Sequence, residues 1–120
     1  MDKRMYVLIL NWDFSQKPRQ IFEQLRKYIA GESWKRYENK KGLIQKIWYS
    51  NIETGQFGGI YLWETKEARE EEIRTMYRVK AMTGIDPTIH QFDVEAIQEG
   101  LHSIEKLTSM GLAWIENRNT

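Results

Sequence analysis

The sequence predicts an α+β fold of order β-α-β-β-α-β, the ferredoxin-like split arrangement, with an antiparallel sheet and an extra C-terminal helix. Three observations carry this. Two runs dense in Val, Ile and aromatic residues, Leu43–Asn51 and Phe57–Trp63, flank a short polar turn through Glu53-Thr54-Gly55-Gln56 and read as a hairpin. An almost continuously apolar run, Met5–Trp12, reads as a central strand covered on both faces. Two stretches with helical apolar spacing separate these strands from one another and from a fourth, Thr88–Val94.

In chain order, Asp13-Phe14-Ser15 ends the first strand, and Ser15 is the expected N-cap of a helix with Pro18 in its first turn. Ile21, Phe22, Leu25, Tyr28 and Ile29 form that helix's apolar stripe, and Gly31 is placed to terminate it. Glu32–Lys41 is the least regular part: Trp34 and Tyr37 stand among charges, either clamping the core or lining a ligand entrance.

In the hairpin, a Thr54-Gly55 loop places Trp48 opposite Tyr61, Lys46 opposite Trp63 and Ser50 opposite Gly59. One face then carries Lys46, Trp48, Tyr61 and Trp63, and the other Ile47, Tyr49, Ile60 and Leu62. The first is aromatic with a cation, the second aliphatic and core-like. Gly58-Gly59 inside the second strand implies either a bulge or a close approach by a ligand or another backbone.

Thr65 is the expected cap of a second long helix running to Gly84, with Ile73, Met76, Tyr77 and Met82 as its apolar stripe. The fourth strand alternates His90, Phe92 and Val94 against Ile89, Gln91 and Asp93. A further amphipathic helix follows with Ile97, Leu101, Ile104 and Leu107. The apolar tail with Leu112, Trp114 and Ile115 is of the kind that docks on its own domain or on a partner subunit. Helices on one face of four strands leave the other face bare and not polar, which a second copy would cover; a homodimer is expected.

The 120 residues suffice for one domain, 1–120, with a real core. With 41% hydrophobic and 29% charged residues, the profile is that of a soluble globular chain without a membrane span. No cysteine is present, which excludes disulfides, thiol nucleophiles and cysteine metal sites and suits the cytoplasm. The charge is uneven, +6 over residues 1–46 and −5 over 47–120. Without an RNA-binding strand signature or recognition helix, this reads as a solvated helix and loop, and no nucleic-acid partner is expected. Two histidines at no ligand spacing exclude an obvious metal site. Neither phosphate-binding glycine fingerprint nor a nucleophile elbow occurs.

The hairpin also carries a resemblance. Gly42-Leu43, then Lys46 and Trp48, then Gly58-Gly59-Ile60-Tyr61-Leu62 with Trp63 where Phe is usual, resemble the signature of the YdhR-like monooxygenases, and Phe92-Asp93-Val94 resembles their last strand. The match covers about residues 5–95. It implies a dimeric α/β barrel, related to small monooxygenases that oxidise aromatic or quinol-like substrates with O₂ and no prosthetic group. Such chemistry needs apolar walls and a cation or donor aimed at developing charge. On that reading Trp48, Tyr61, Trp63 and Asn11 bind a small aromatic ligand, while Lys46 and His90 steady its anion; no cofactor is implied.

Each residue has an ordinary alternative: Lys46 as a cation–π packing residue, the three aromatics as barrel filling, His90 as a satisfied buried histidine, Asn11 as a turn residue. A non-catalytic dimeric barrel holding an apolar molecule is the rival function. Haem-degrading relatives of this topology carry an iron-binding histidine on the second helix, whereas Glu64–Gly84 contains none.

Overall fold

The computed structural model describes residues 4–108 and 110–118. The elements are β1 (Tyr6–Asp13), α1 (Ile21–Tyr28), a π-helical turn (Ile29–Ser33), α2 (Trp34–Glu38), β2 (Leu43–Asn51), β3 (Gln56–Trp63), α3 (Lys66–Thr75), α4 (Arg78–Thr83), β4 (Thr88–Asp93), α5 (Ile104–Leu107) and α6 (Leu112–Arg118). They group into two compact units. A sheet unit holds the described residues up to Arg19 together with Lys40–Val94, and a helical unit holds Gln20–Asn39 and the described residues from Glu95 onward.

The sheet is antiparallel throughout in the order β2-β3-β1-β4, which is the ferredoxin-like α+β topology. β1 is central, as its unbroken apolar run requires. Leu8, Leu10 and Trp12 on one side of it are buried with Phe57, Tyr61 and Trp63 of β3. α3 lies on that side too, because Lys66 and Arg69 both stand over the Tyr6 ring. The opposite side is left partly open, with Ile47, Ile60 and Phe92 exposed. The aromatic face is thus the buried one and the aliphatic face the open one, the reverse of the core-like role expected for Ile47 and Ile60. Large rings remove more apolar area from water than aliphatic side chains, so this burial is the stronger of the two.

The hairpin loop is four residues, Ile52–Gly55, because Asn51 pairs with Gln56. Asn51 Oδ1 accepts from the Glu53 and Thr54 amides at 3.1 and 3.3 Å, and Gly55 closes the turn at φ +78°. A side chain at Gly55 would also collide with the Ser15 backbone, since the Phe14 amide docks on the Gly55 carbonyl at 2.7 Å. The longer loop moves the pairing two residues from that expected: Lys46 faces Tyr61, Trp48 faces Gly59 and Ser50 faces Phe57. A two-residue shift preserves the pleat parity, so every side chain keeps its face.

Other differences have local causes. Ser15 caps no helix; its amide turns back onto Asp13 Oδ1 at 2.9 Å, and α1 begins at Ile21. Gly31 does not end α1, because the chain keeps helical angles through the π turn into α2. Thr65 does cap α3, accepting from the Ala68 amide at 3.1 Å. The long helix expected to reach Gly84 breaks at Met76, whose ψ of 118° is extended, so Tyr77 and Met82 leave the stripe and are exposed. The side chains that α3 buries are Arg69 and Glu72. Residues 95–103 form no regular element, and the helix expected around Ile97–Leu107 shrinks to the single turn α5.

In the helical unit, α6 packs on α1 and the π turn, and Trp114 meets Trp34 edge to face with centroids 4.8 Å apart. The apolar tail therefore docks within its own unit. Tyr37 is buried beside Tyr28, with the Arg36 guanidinium over both rings and bonded to the Tyr28 hydroxyl at 2.7 Å.

Candidate functional site

The aromatic face of the hairpin gathers four of the six expected site residues. Lys46 lies directly across from Tyr61, and its Nζ stands 4.3 Å from the Tyr61 ring centroid and 4.4 Å from that of Trp48, two residues along the same strand. Tyr61 in turn stacks on Trp63, with centroids 5.8 Å apart and planes 9° from parallel. The strand period of two is what puts 46 with 48, and 61 with 63, on one side. A cation between two rings is held by their quadrupoles while its stem lies on apolar surface. The stem finds room because Gly59 has no side chain; a Cβ there would sit 3.3 Å from Lys46 Cε. Trp63 is fully buried and its indole N–H has no partner among the described residues. A buried donor in that state is uncommon and costly.

Asn11 and His90 stand on the other face. Asn11 faces Gly58, and its amide is engaged on both sides: Oδ1 accepts from the Tyr49 hydroxyl at 2.6 Å, and Nδ2 donates to Gln56 Oε1 at 2.7 Å. Burial pushes the Tyr49 phenol above its ordinary value, so it remains a donor to Asn11. The Tyr49 ring occupies the space over Gly58, where a Cβ would meet the phenol oxygen at 2.5 Å and collide with the Leu10 carbonyl. No bulge explains the glycine pair, since both ladders run through it in register; the close approach is that of the Leu10 backbone and the Tyr49 ring at Gly58, and of the Lys46 stem at Gly59.

His90 is not buried. It lies on the edge strand β4, exposed, with its ring stacked parallel to Phe92 at 6.5 Å. Its register partner is Ile9, whereas Lys46 shares a row with Leu8 through Tyr61. Adjacent rows point to opposite faces. Lys46 and His90 therefore do not form one anion site within a chain. Sequence reading paired them because strand membership was legible and the parity between non-adjacent strands was not.

Arg69 is a buried cation outside the expected site residues. It is 8% exposed, donates from Nη1 to the carbonyls of Val7 and Phe92 at 3.3 and 3.1 Å, and sits 5.3 Å from the Tyr6 centroid. The available signal was negative: Lys66–Thr75 holds only one large apolar residue, Ile73, so a charged side chain had to face the sheet. No helix among the described residues is long and apolar enough to cross a membrane.

A family profile described as "Putative mono-oxygenase ydhR" matches residues 9–109. No curated protein matches the chain. Among solved structures, the chain is similar to the protein of unknown function NE2512 from Nitrosomonas europaea, with 10% identity, 83% of this chain and 98% of that chain covered, and a TM-score of 0.61. It is similar to a "putative antibiotic biosynthesis monooxygenase" from Deinococcus radiodurans, with 11% identity, coverages of 81% and 99%, and a TM-score of 0.57. It is also similar to the heme-degrading protein Rv3592 from Mycobacterium tuberculosis, with 20% identity, coverages of 80% and 98%, and a TM-score of 0.56. At these identities the likeness is one of fold.

Proposed function

Because the chain belongs to the ydhR family, we propose that it is a small monooxygenase that oxidises a phenol- or quinol-like aromatic with O₂ and needs no prosthetic group. One oxygen atom enters the ring and the other leaves as water, the substrate itself supplying the electrons. The observation that carries this reading is the ammonium of Lys46 held between Trp48 and Tyr61, 4.4 and 4.3 Å from their centroids, on the face that also presents Trp63. A fixed cation in apolar surroundings stabilises a phenolate more strongly than water would, and an electron-rich phenolate is the form that reacts with O₂. The Trp63 indole N–H, without a partner among the described residues, is a donor that a substrate oxygen would take. In this proposal Lys46 is the catalytic cation, Trp48, Tyr61 and Trp63 are the walls, and His90 and Asn11 serve the other face of the sheet.

The chain acts as a homodimer in this proposal, joined through the open face that exposes Ile47, Ile60 and Phe92. The family match runs across both compact units, which supports a single domain over 1–120. The lack of cysteine supports a cytoplasmic setting.

Aerobic and anaerobic incubation with a panel of quinols tests the activity. O₂-dependent turnover is expected to fall on the order of a hundredfold in Lys46→Met, the scale for loss of one fixed charge-stabilising group. No turnover above background with any quinol counts against the enzyme. The rival is a dimeric module that binds an apolar molecule without converting it, and the stacking of Tyr61 on Trp63 as a finished packing pair favours it. It predicts aromatic binding without product, and binding that survives Lys46→Met.

A further inference from the structure

A cavity of about 740 Å³ opens at the end of the sheet where β1 begins and β3 runs into α3. None of the site residues above lines it. Its apolar surface comes from Met5, Tyr6 and Ile44, and its polar rim includes Glu64, Lys66 and Glu67. Ile44 is the extra residue of the bulge in β2, where the ladder skips from Leu43 to Gln45. Bulges re-aim side chains, and this one turns an isoleucine out of the sheet to line the cavity. The Tyr6 ring is held by two cations, Lys66 Nζ at 5.9 Å and the buried Arg69 guanidinium at 5.3 Å. Tyr6 lies directly across from Trp63, so a single row of rings leads from the cavity to the Tyr61–Lys46 pair.

The rim chemistry narrows the ligand. Among the described residues the lining charges balance, Arg4 and Lys66 against Glu64 and Glu67, so they do not select an ion by net charge. The Glu64 and Glu67 carboxylates are exposed at this rim, acceptors beside the apolar lining. We propose that this cavity seats a neutral hydroxylated aromatic, a phenol or quinol. Its hydroxyl donates to Glu64 or Glu67, its oxygen accepts from Lys66, and its ring lies on Tyr6, Met5 and Ile44. The site rests on the oxygenase reading for its substrate class and serves as the docking port that precedes the Lys46 face.

The test is an anaerobic titration of the full chain with 1-naphthol and with naphthalene, read by methyl NMR at Met5 and Ile44. Both methyls are expected to shift with 1-naphthol. The Glu64→Ala/Glu67→Ala variant, altered only at exposed positions, is expected to bind 1-naphthol about tenfold more weakly and naphthalene unchanged. Ile44→Trp fills the cavity and abolishes the Met5 response. Silence at both methyls overturns the site, as does an equal loss for the two probes in the double variant. Naphthol that seats, with neither it nor any quinol of the panel consumed in air, leaves the site standing and counts against the oxygenase; naphthol consumed without a response at Met5 and Ile44 does the reverse.

Discussion

Tyr49 on β2 reaches across Gly58 of β3 and donates to Asn11 on β1, O to O at 2.6 Å, so that one hydrogen bond spans three strands. The bridge exists only because the middle strand carries no side chain beneath the ring. Gly58→Ala is expected to destabilise the chain by about 3 kcal/mol or more, the upper end for overpacking against backbone. Tyr49→Phe keeps the ring but leaves Asn11 Oδ1 without its donor, at about 1 kcal/mol. Urea unfolding of both variants checks the order; equal effects would mean that the hydrogen bond, not the space, is the main contribution.

Asp13, the last residue of β1, ties the turn at Ser15 to Gln56, the first residue of β3. Hydrogen bonds from the Ser15 hydroxyl and amide, with a smaller one from Gln56, hold its carboxylate below the usual 3.8. A group whose native value is depressed contributes stability above its unfolded value and loses it as pH falls through the native one. Asp13→Asn is therefore expected to be less stable than the parent at neutral pH, with the difference closing as pH drops below about 3.8. Thermal unfolding midpoints across acid pH read this directly, and a gap that persists at the lowest pH would assign the effect to the turn rather than the charge.

The Trp34–Trp114 contact fixes the C-terminal helix α6 in the helical unit. Edge-to-face pairs contribute about 1 kcal/mol beyond their area. A double-mutant cycle with Trp34→Leu and Trp114→Leu should return a coupling of that size. Additive single effects would show that the two rings merely share a neighbourhood.

Dimerisation is checked at Ile60, which is 36% exposed in the middle of the open face. Light scattering of the parent chain at micromolar concentration should give twice 14.4 kDa, and Ile60→Arg should give 14.4 kDa with an unchanged circular dichroism spectrum. A monomeric parent would remove the dimer from the proposal.

The order of the four strands, the central place of β1, the Thr65 cap and the membership of the aromatic face were all legible in the sequence. Each depends on local periodicity or on one turn residue, and period two keeps Lys46, Trp48, Tyr61 and Trp63 together even when the register moves by two. The family signature lies on this same stretch for the same reason. What only the tertiary structure decided are relations between elements far apart in sequence. It put the aromatic face under α3 and left Ile47 and Ile60 open, because burial follows the packing of whole layers rather than the polarity of one strand. It set His90 on the opposite face from Lys46, because that parity runs through two intervening strands. It buried Arg69, whose stabilising partners are two main-chain carbonyls and a ring that no sequence pattern brings together.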